Sequence, residues 1–152
     1  MSIDAQTLTD ALASTALRLG RFDRVNTHEP KGAIGNGVTA ALWLQRVRPY
    51  ARQSGLAATS AVVTFTIRMF SPMLAEPQDA IDPAMLSSLD ALMNAFTGDF
   101  TLGGAVAAVD LLGQSGEALG AQAGYIDQSG KLMRVMDITV PLIINDAWEQ
   151  VP

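Results

Sequence analysis

Leu8, Leu12, Thr15, Ala16 and Leu19 recur at the three- and four-residue spacing of one helical face. Ser2 or Asp4 can cap the start, and Gly20 is a natural residue to follow the last turn. The pattern predicts a helix from about Asp4 to Leu19. Arg21 to Val25 predicts a short strand. Asn26 to Gly37 then sets Pro30, Gly32, Gly35 and Gly37 among polar residues, which is loop composition.

From Val38 to Val47 the residues Leu42, Trp43, Leu44 and Val47 place apolar groups on both faces. This predicts a strand covered on both sides and ended by Pro49. After a Gly- and Ser-bearing join from Pro49 to Ala58, Val63, Phe65, Ile67 and Met69 alternate with Thr64, Thr66 and Arg68. That alternation predicts a half-buried antiparallel strand, hairpin-paired with the one before it.

Asp82 is placed as an N-cap with Pro83 at the first helical position, and Met85, Leu86, Leu89, Leu92, Met93 and Phe96 form one apolar stripe. A helix over Pro83 to Phe96 is predicted, laid on the sheet against Phe65 and Ile67. Three further strands are predicted, Ala105 to Leu112, Ala121 to Ile126 and Leu132 to Ile144. Asp127-Gln128-Ser129-Gly130 joins the last two as a tight hairpin turn. In the last strand Met136, Ile138, Val140 and Leu142 share one face, while Asp137, Thr139 and Pro141 share the other. Pro141 places the end of that strand at an edge or a bulge. The reading is an α+β fold of order α-β-β-α-β-β-β. A mostly antiparallel sheet of about four to six strands packs against two helices, as one domain over residues 1–152.

Composition adds a social character to this fold. Of the 152 residues, 49% are hydrophobic and 16% charged, the apolar end of globular usage, which suggests surface that partners bury. Residues 1–60 carry seven Lys/Arg and four Asp/Glu, net +3, while 61–152 carry three and eleven, net −8. Only Arg46, Arg48 and Arg52 approach a basic cluster, so sequence-specific DNA reading is not predicted. With no cysteine there is no disulfide framework, thiolate metal site or cysteine nucleophile. The N-terminus lacks the basic and apolar regions of a signal peptide. The most apolar window, Ile138 to Ile144, is far shorter than the roughly 20 residues that span a bilayer.

Catalytic patterns fail one by one. His28 is the only histidine and sits beside Glu29 in the Gly/Pro loop, where a solvated residue accounts for it better than a base or a metal ligand. Gly113-Gln114-Ser115-Gly116-Glu117 misses the G-x-S-x-G elbow at Glu117. Gly32-Ala33-Ile34-Gly35-Asn36-Gly37 lacks the Lys-Ser/Thr ending of a phosphate loop and precedes a strand. Asp79, Asp82 and Asp90 do not keep EF-hand spacing. No signal singles out a carboxylate pair for glycoside chemistry, whose separation the fold would set. No catalytic residue, metal or cofactor is predicted. The unusual residues are apolar ones at expected surface, Met73, Leu74, Ile143 and Trp148, which favour a protein–protein interface. The end, Glu149 to Pro152, reads as a short free end or a docking tail.

Five blocks carry a family likeness: Asn26-Thr27-His28-Glu29-Pro30-Lys31, Thr39-Ala40-Ala41-Leu42-Trp43-Leu44, Ser54-Gly55-Leu56-Ala57-Ala58-Thr59-Ser60, Glu76-Pro77-Gln78-Asp79-Ala80-Ile81-Asp82-Pro83, and Gly130 to Glu149. Across residues 26–149 the chain resembles the tail terminator proteins of siphophages, particularly those of phages infecting actinobacteria. The resemblance implies an α/β sandwich protomer in a hexameric ring that caps the tail tube, stops its polymerisation and joins the tail to the head connector. It implies a virion protein of the tail or neck, assembled in the host cytoplasm, with no membrane. Its partners would be further copies of itself, the tail tube protein and a connector or stopper protein, with DNA passing through the lumen. An acidic lining would let that DNA slide. The loops Asn26–Gly37 and Leu112–Gly120 and the tail Asp146–Pro152 are then the expected contacts. The residues are His28, Glu29, Pro30, Lys31, Asn36, Gln114, Glu117, Asp146, Trp148 and Glu149. A head-completion or stopper protein, or a tube-like subunit, is the alternative within assembly. A small hydrolase or ligand-binding domain, needing a deep pocket with perturbed carboxylates, is the alternative outside it.

Overall fold

The computed structural model describes residues 3–22, 24–27, 39–51, 54–55, 57–72, 81–128 and 130–151. Their order is helix α1 (Ala5–Arg18), strands β1 (Arg24–Asn26), β2 (Thr39–Tyr50) and β3 (Ala58–Pro72), helix α2 (Ile81–Gly98), then β4 (Ala108–Val109), β5 (Gly120–Gln128) and β6 (Lys131–Glu149). The strands join one sheet in the order β1-β2-β3-β6-β4, with β5 also paired to β6. Only β1–β2 is parallel; the other pairings are antiparallel. The expected α+β class and mostly antiparallel sheet are both observed.

Helix α1 begins where its cap chemistry places it. The Thr7 N–H donates to Asp4 Oδ1 at 3.1 Å, and Gly20 takes the left-handed turn after the helix at φ +65°. Leu8, Leu12, Thr15 and Ala16 are buried as the spacing requires. In β3, Val63, Phe65, Ile67 and Met69 lie under both helices in one core with Leu8, Leu12, Met85, Leu92 and Phe96. The facing residues Thr64, Thr66 and Arg68 look the other way, onto a second face that is only partly open, since Thr64 is fully buried.

Strand β2 departs from expectation. Ala40, Ala41 and Leu42 are buried, but Leu44 and Val47 are 54% and 42% exposed, so its second half is not covered on both sides. The reason is topological: β1 pairs only with Thr39, Ala40 and Ala41, and beyond them no described strand flanks β2. Pro49 does not end the strand, which runs on to Tyr50, because a proline is tolerated where its nitrogen needs no partner. A bulge between Leu44 and Arg46 interrupts the register against β3. The expected strand Arg21–Val25 is found shifted, at Arg24–Asn26.

Helix α2 starts earlier than expected. Ile81 is already helical, so Asp82 lies inside the first turn and is not the cap; Pro83 is still acceptable there, where amide hydrogens have no helical partner. Asp82 instead receives Arg134 of β6, Nε to Oδ1 at 2.9 Å. That contact, with the proximity of Tyr125, raises the Arg134 pKa. Of the apolar stripe, Met85, Leu92 and Phe96 are buried and Leu89 and Met93 pack against the core, but Leu86 is 61% exposed.

The expected strand Ala105–Leu112 shrinks to Ala108–Val109. The Ala105 and Val106 N–H groups donate back to the Leu102 and Thr101 carbonyls, and Asp110 is drawn into the following turn by the amides of Gly113 to Ser115, so the chain extends only between these two turns. Pro141 is neither at an edge nor at a bulge. It is buried and paired with Thr64 in the middle of the sheet. On its other side β5 ends opposite Thr139 and β4 begins opposite Leu142, so the missing N–H falls in the gap between two neighbours. Its carbonyl there accepts the Asp110 N–H at 2.9 Å. Ile143, expected at the surface, is 3% exposed and packs with Tyr50 and Val62 on the second face.

Candidate functional site

Between β4 and β5 the chain makes a loop, residues 110–119, whose ends are closed by the Leu119 N–H donating to the Asp110 carbonyl at 2.9 Å. Its centre is one carboxylate. Asp110, 4% exposed, accepts the N–H groups of Gly113, Gln114 and Ser115 at 3.0, 3.0 and 2.8 Å, and the Ser115 hydroxyl as well. Burial pushes the Asp110 pKa up, but the Ser115 hydroxyl and the three amides outweigh it and hold the carboxyl below its ordinary value. Gly113 and Gly116, at φ +86° and +99°, supply the two left-handed turns that wrap the backbone round this acid.

The loop lies over the second face of the sheet and is tied to β2 and β3. Glu117 forms an ion pair with Arg46 and accepts the Thr64 hydroxyl at 2.9 Å. The Arg48 guanidinium donates to the Ser115 carbonyl at 2.5 Å. Held at both ends and across its middle, the loop nonetheless turns Leu112 almost completely into water, at 90% exposure. Beside it the second face forms an open cleft of about 570 Å³ lined by Trp43, Gln45, Thr66, Arg68, Glu117, Gln122, Asp137 and Thr139. A second, mostly apolar cleft of about 260 Å³ lies where the start of α1 meets β2, between Ile3, Leu8, Leu44, Val47 and Phe65.

The two described groups of expected contact residues lie apart along β3. Gln114 is exposed on the loop and Glu117 is half-buried under it, committed to Arg46 and Thr64. Trp148 and Glu149 pair with Thr59 and Ala58 of β3, about 17 Å along that strand from Thr64. Asp146 sits where the β3–β6 register slips between Thr59 and Ala61, at φ +53°, and its N–H donates to the Ser60 hydroxyl at 3.4 Å. The chain end is no free tail as far as it is described. β6 continues through Glu149, and Gln150 is sewn to the start of β3 by its N–H on the Ala57 carbonyl and its side chain on Gly55 and Thr59. His28, Glu29, Pro30, Lys31 and Asn36 lie outside the described residues, as do Met73, Leu74 and Arg52.

Sequence reasoning missed Asp110, which it buried inside a strand. The signal was available: an Asp three residues before Gly113 and five before Ser115 is the arrangement in which a carboxylate gathers the amides of a following turn. Among the described residues no three His, Cys, Asp or Glu side chains assemble a metal site, and no helix is long and apolar enough to cross a membrane.

No family model and no curated protein matches the chain. Among solved structures the chain is similar to the sheath/tube terminator of an extracellular contractile injection system in its extended state, with TM-score 0.47 and 10% identity. The alignment covers 99% of this chain and 59% of that one, so the chain spans about three fifths of the terminator's length.

Proposed function

We propose that the protein is a structural, non-catalytic subunit of a phage tail, a terminator whose ring ends the tail tube and joins it to the head connector. The observation that carries this reading is the loop 110–119. A buried carboxylate, two left-handed glycines and two arginine tethers fix its shape, yet what it displays is Leu112, an apolar side chain with no packing on its own chain to speak of. Ordering a loop in advance lowers the entropy lost on association, so this is how a contact loop is built. The likeness of residues 26–149 to siphophage terminators supports the same reading, as does the apolar, weakly charged composition.

Termination then needs no bond chemistry. A ring with one face shaped for the tube end occupies the place of the next tube subunit, and its other face offers a different surface to the connector. The acidic excess after residue 61 suits a lumen through which DNA slides. The test is the mass of the 16.1 kDa chain in solution by light scattering, with negative-stain images. A closed ring of about six copies with an open centre is expected. Two-fold dimers only would sink the ring, and a lumen wall lined mainly by Lys and Arg would sink the sliding role.

A further inference from the structure

Among the described residues, two long stretches of the sheet have no strand beside them. Beyond Ala41, β2 has no described neighbour on its outer side, and β5 has none along its whole length of nine residues. Natural sheets guard such edges with lysines, prolines, bulges or a covering element. β2 has Pro49, a bulge and two arginines; β5, Gly-Ala-Gln-Ala-Gly-Tyr-Ile-Asp-Gln, has Asp127 near its turn and the Arg134 side chain of β6, which stacks on Tyr125 and donates to the Gly124 carbonyl at 3.2 Å. An edge of that length with one guarded carbonyl would, in a monomer, be an invitation to aggregate.

We infer that the β5 edge of one copy pairs antiparallel with the β2 edge of the next, from Leu42 to Arg48, so that the sheet continues from subunit to subunit. The inference deepens the ring reading and rests on it. Strand directions fit: along the sheet β2, β3, β6 and β5 alternate, so a second copy in the same orientation presents its β2 antiparallel to β5. Charge fits at one end: Arg24 of β1 and Asp127 of β5 are exposed and of opposite sign, whereas Arg46, Glu117 and Asp110 already have partners within the chain.

Antiparallel pairing brings Asp127 of β5 to the end of the neighbouring β2 that lies beside Arg24. Size fits as well. On the helix side of the sheet β5 offers Ala121 and Ala123, which leave room for the exposed Leu44 and Val47 of β2. Pro49 has no hydrogen to give and ends the ladder. A contact between two different edges is head-to-tail, the kind that closes into a ring.

The chain has no cysteine, so disulfide trapping has no background. In the full-length protein, Val47→Cys is combined in turn with Ala121→Cys and with Ala123→Cys, all on one side of the sheet, and oxidised. At least one double variant is expected to give a reducible ladder of bands on a denaturing gel, while each single variant stays one band. A covalent dimer from Ala123→Cys alone would show two-fold pairing and overturn the inference. A ring by light scattering with no ladder from either double variant would overturn the edge pairing and leave the ring reading standing. No oligomer and no ladder would remove both. Ala123→Lys, which puts a charge on the open edge, is expected to abolish assembly while the circular dichroism of the monomer is unchanged; an intact assembly in that variant would also overturn the pairing.

Discussion

Arg68 and Asp137 meet fork to fork across β3 and β6, Nε to Oδ1 at 2.5 Å and Nη2 to Oδ2 at 3.0 Å, with the Arg68 guanidinium also stacked 5.3 Å from the centre of the Trp43 ring. The arginine therefore has two roles and the aspartate one. Arg68→Ala is expected to cost about 1–2 kcal/mol, since it removes the stacking and the aliphatic stem with the charge. Asp137→Asn, on a partner that is partly open to water, should cost under about 1 kcal/mol. Urea unfolding of both variants checks the order; equal losses would mean that the ion pair carries the whole effect.

Asp110 gives a pH signature. Its carboxyl is held below the ordinary value, so the folded form favours the ionised acid. That stability is fully present above the unfolded pKa of about 3.9 and is lost as pH falls through the lower folded pKa. Asp110→Asn, which cannot accept all four hydrogen bonds, is expected to cost about 1–3 kcal/mol at neutral pH. The gap to the wild type should hold from about pH 5 upward and narrow below about pH 4. A gap independent of pH across that range would mean that the carboxylate charge does not hold the loop.

Phe96 is fully buried where α2 crosses the core shared with β3 and β6. Phe96→Ala should cost about 3–5 kcal/mol, read as a shift of the denaturant midpoint. Leu86→Ala, on the same helix but mostly exposed, should lie within about 0.5 kcal/mol of wild type. A comparable loss at both positions would contradict the placement of the helix.

That contrast shows what the sequence reveals and what it withholds. Periodicity marks α1, β3 and the β5–β6 hairpin because each repeats one pattern against one core. It fails at Leu86, since a stripe wider than the contact cannot say which flank faces water. It misreads β2, where apolar residues on both faces suggested two covers and one face is left open from Leu44 on. It also misreads Pro141, because nothing local reports that β4 and β5 leave a gap opposite it. The loop was found as a loop, but its organising acid was assigned to a strand, since a side chain that gathers backbone amides competes with strand pairing and only the fold shows which wins.

Asp146 tests backbone conformation without touching the core. Its φ of +53° lies where a side chain with a Cβ is disfavoured and where Asp is among the better-tolerated residues. Asp146→Gly should therefore be neutral or stabilise by up to about 1 kcal/mol, while Asp146→Val should cost about 1–2 kcal/mol. Denaturant unfolding of the pair decides it; a valine variant as stable as the glycine one would mean the turn relaxes.

Leu112 separates assembly from folding. At 90% exposure it contributes almost nothing to the core, so Leu112→Ser should leave monomer stability within about 0.5 kcal/mol of wild type. Because the loop beneath it is fixed by Asp110 and by the arginines of β2, the side chain is presented to a partner in one position, and removing it takes away an anchor at no gain in loop entropy. Association, followed as mass against protein concentration, should weaken by about tenfold, the factor that corresponds to roughly 1.4 kcal/mol. If the melting temperature falls with the substitution, Leu112 packs on its own chain. If neither stability nor association changes, the loop is not a contact surface between copies.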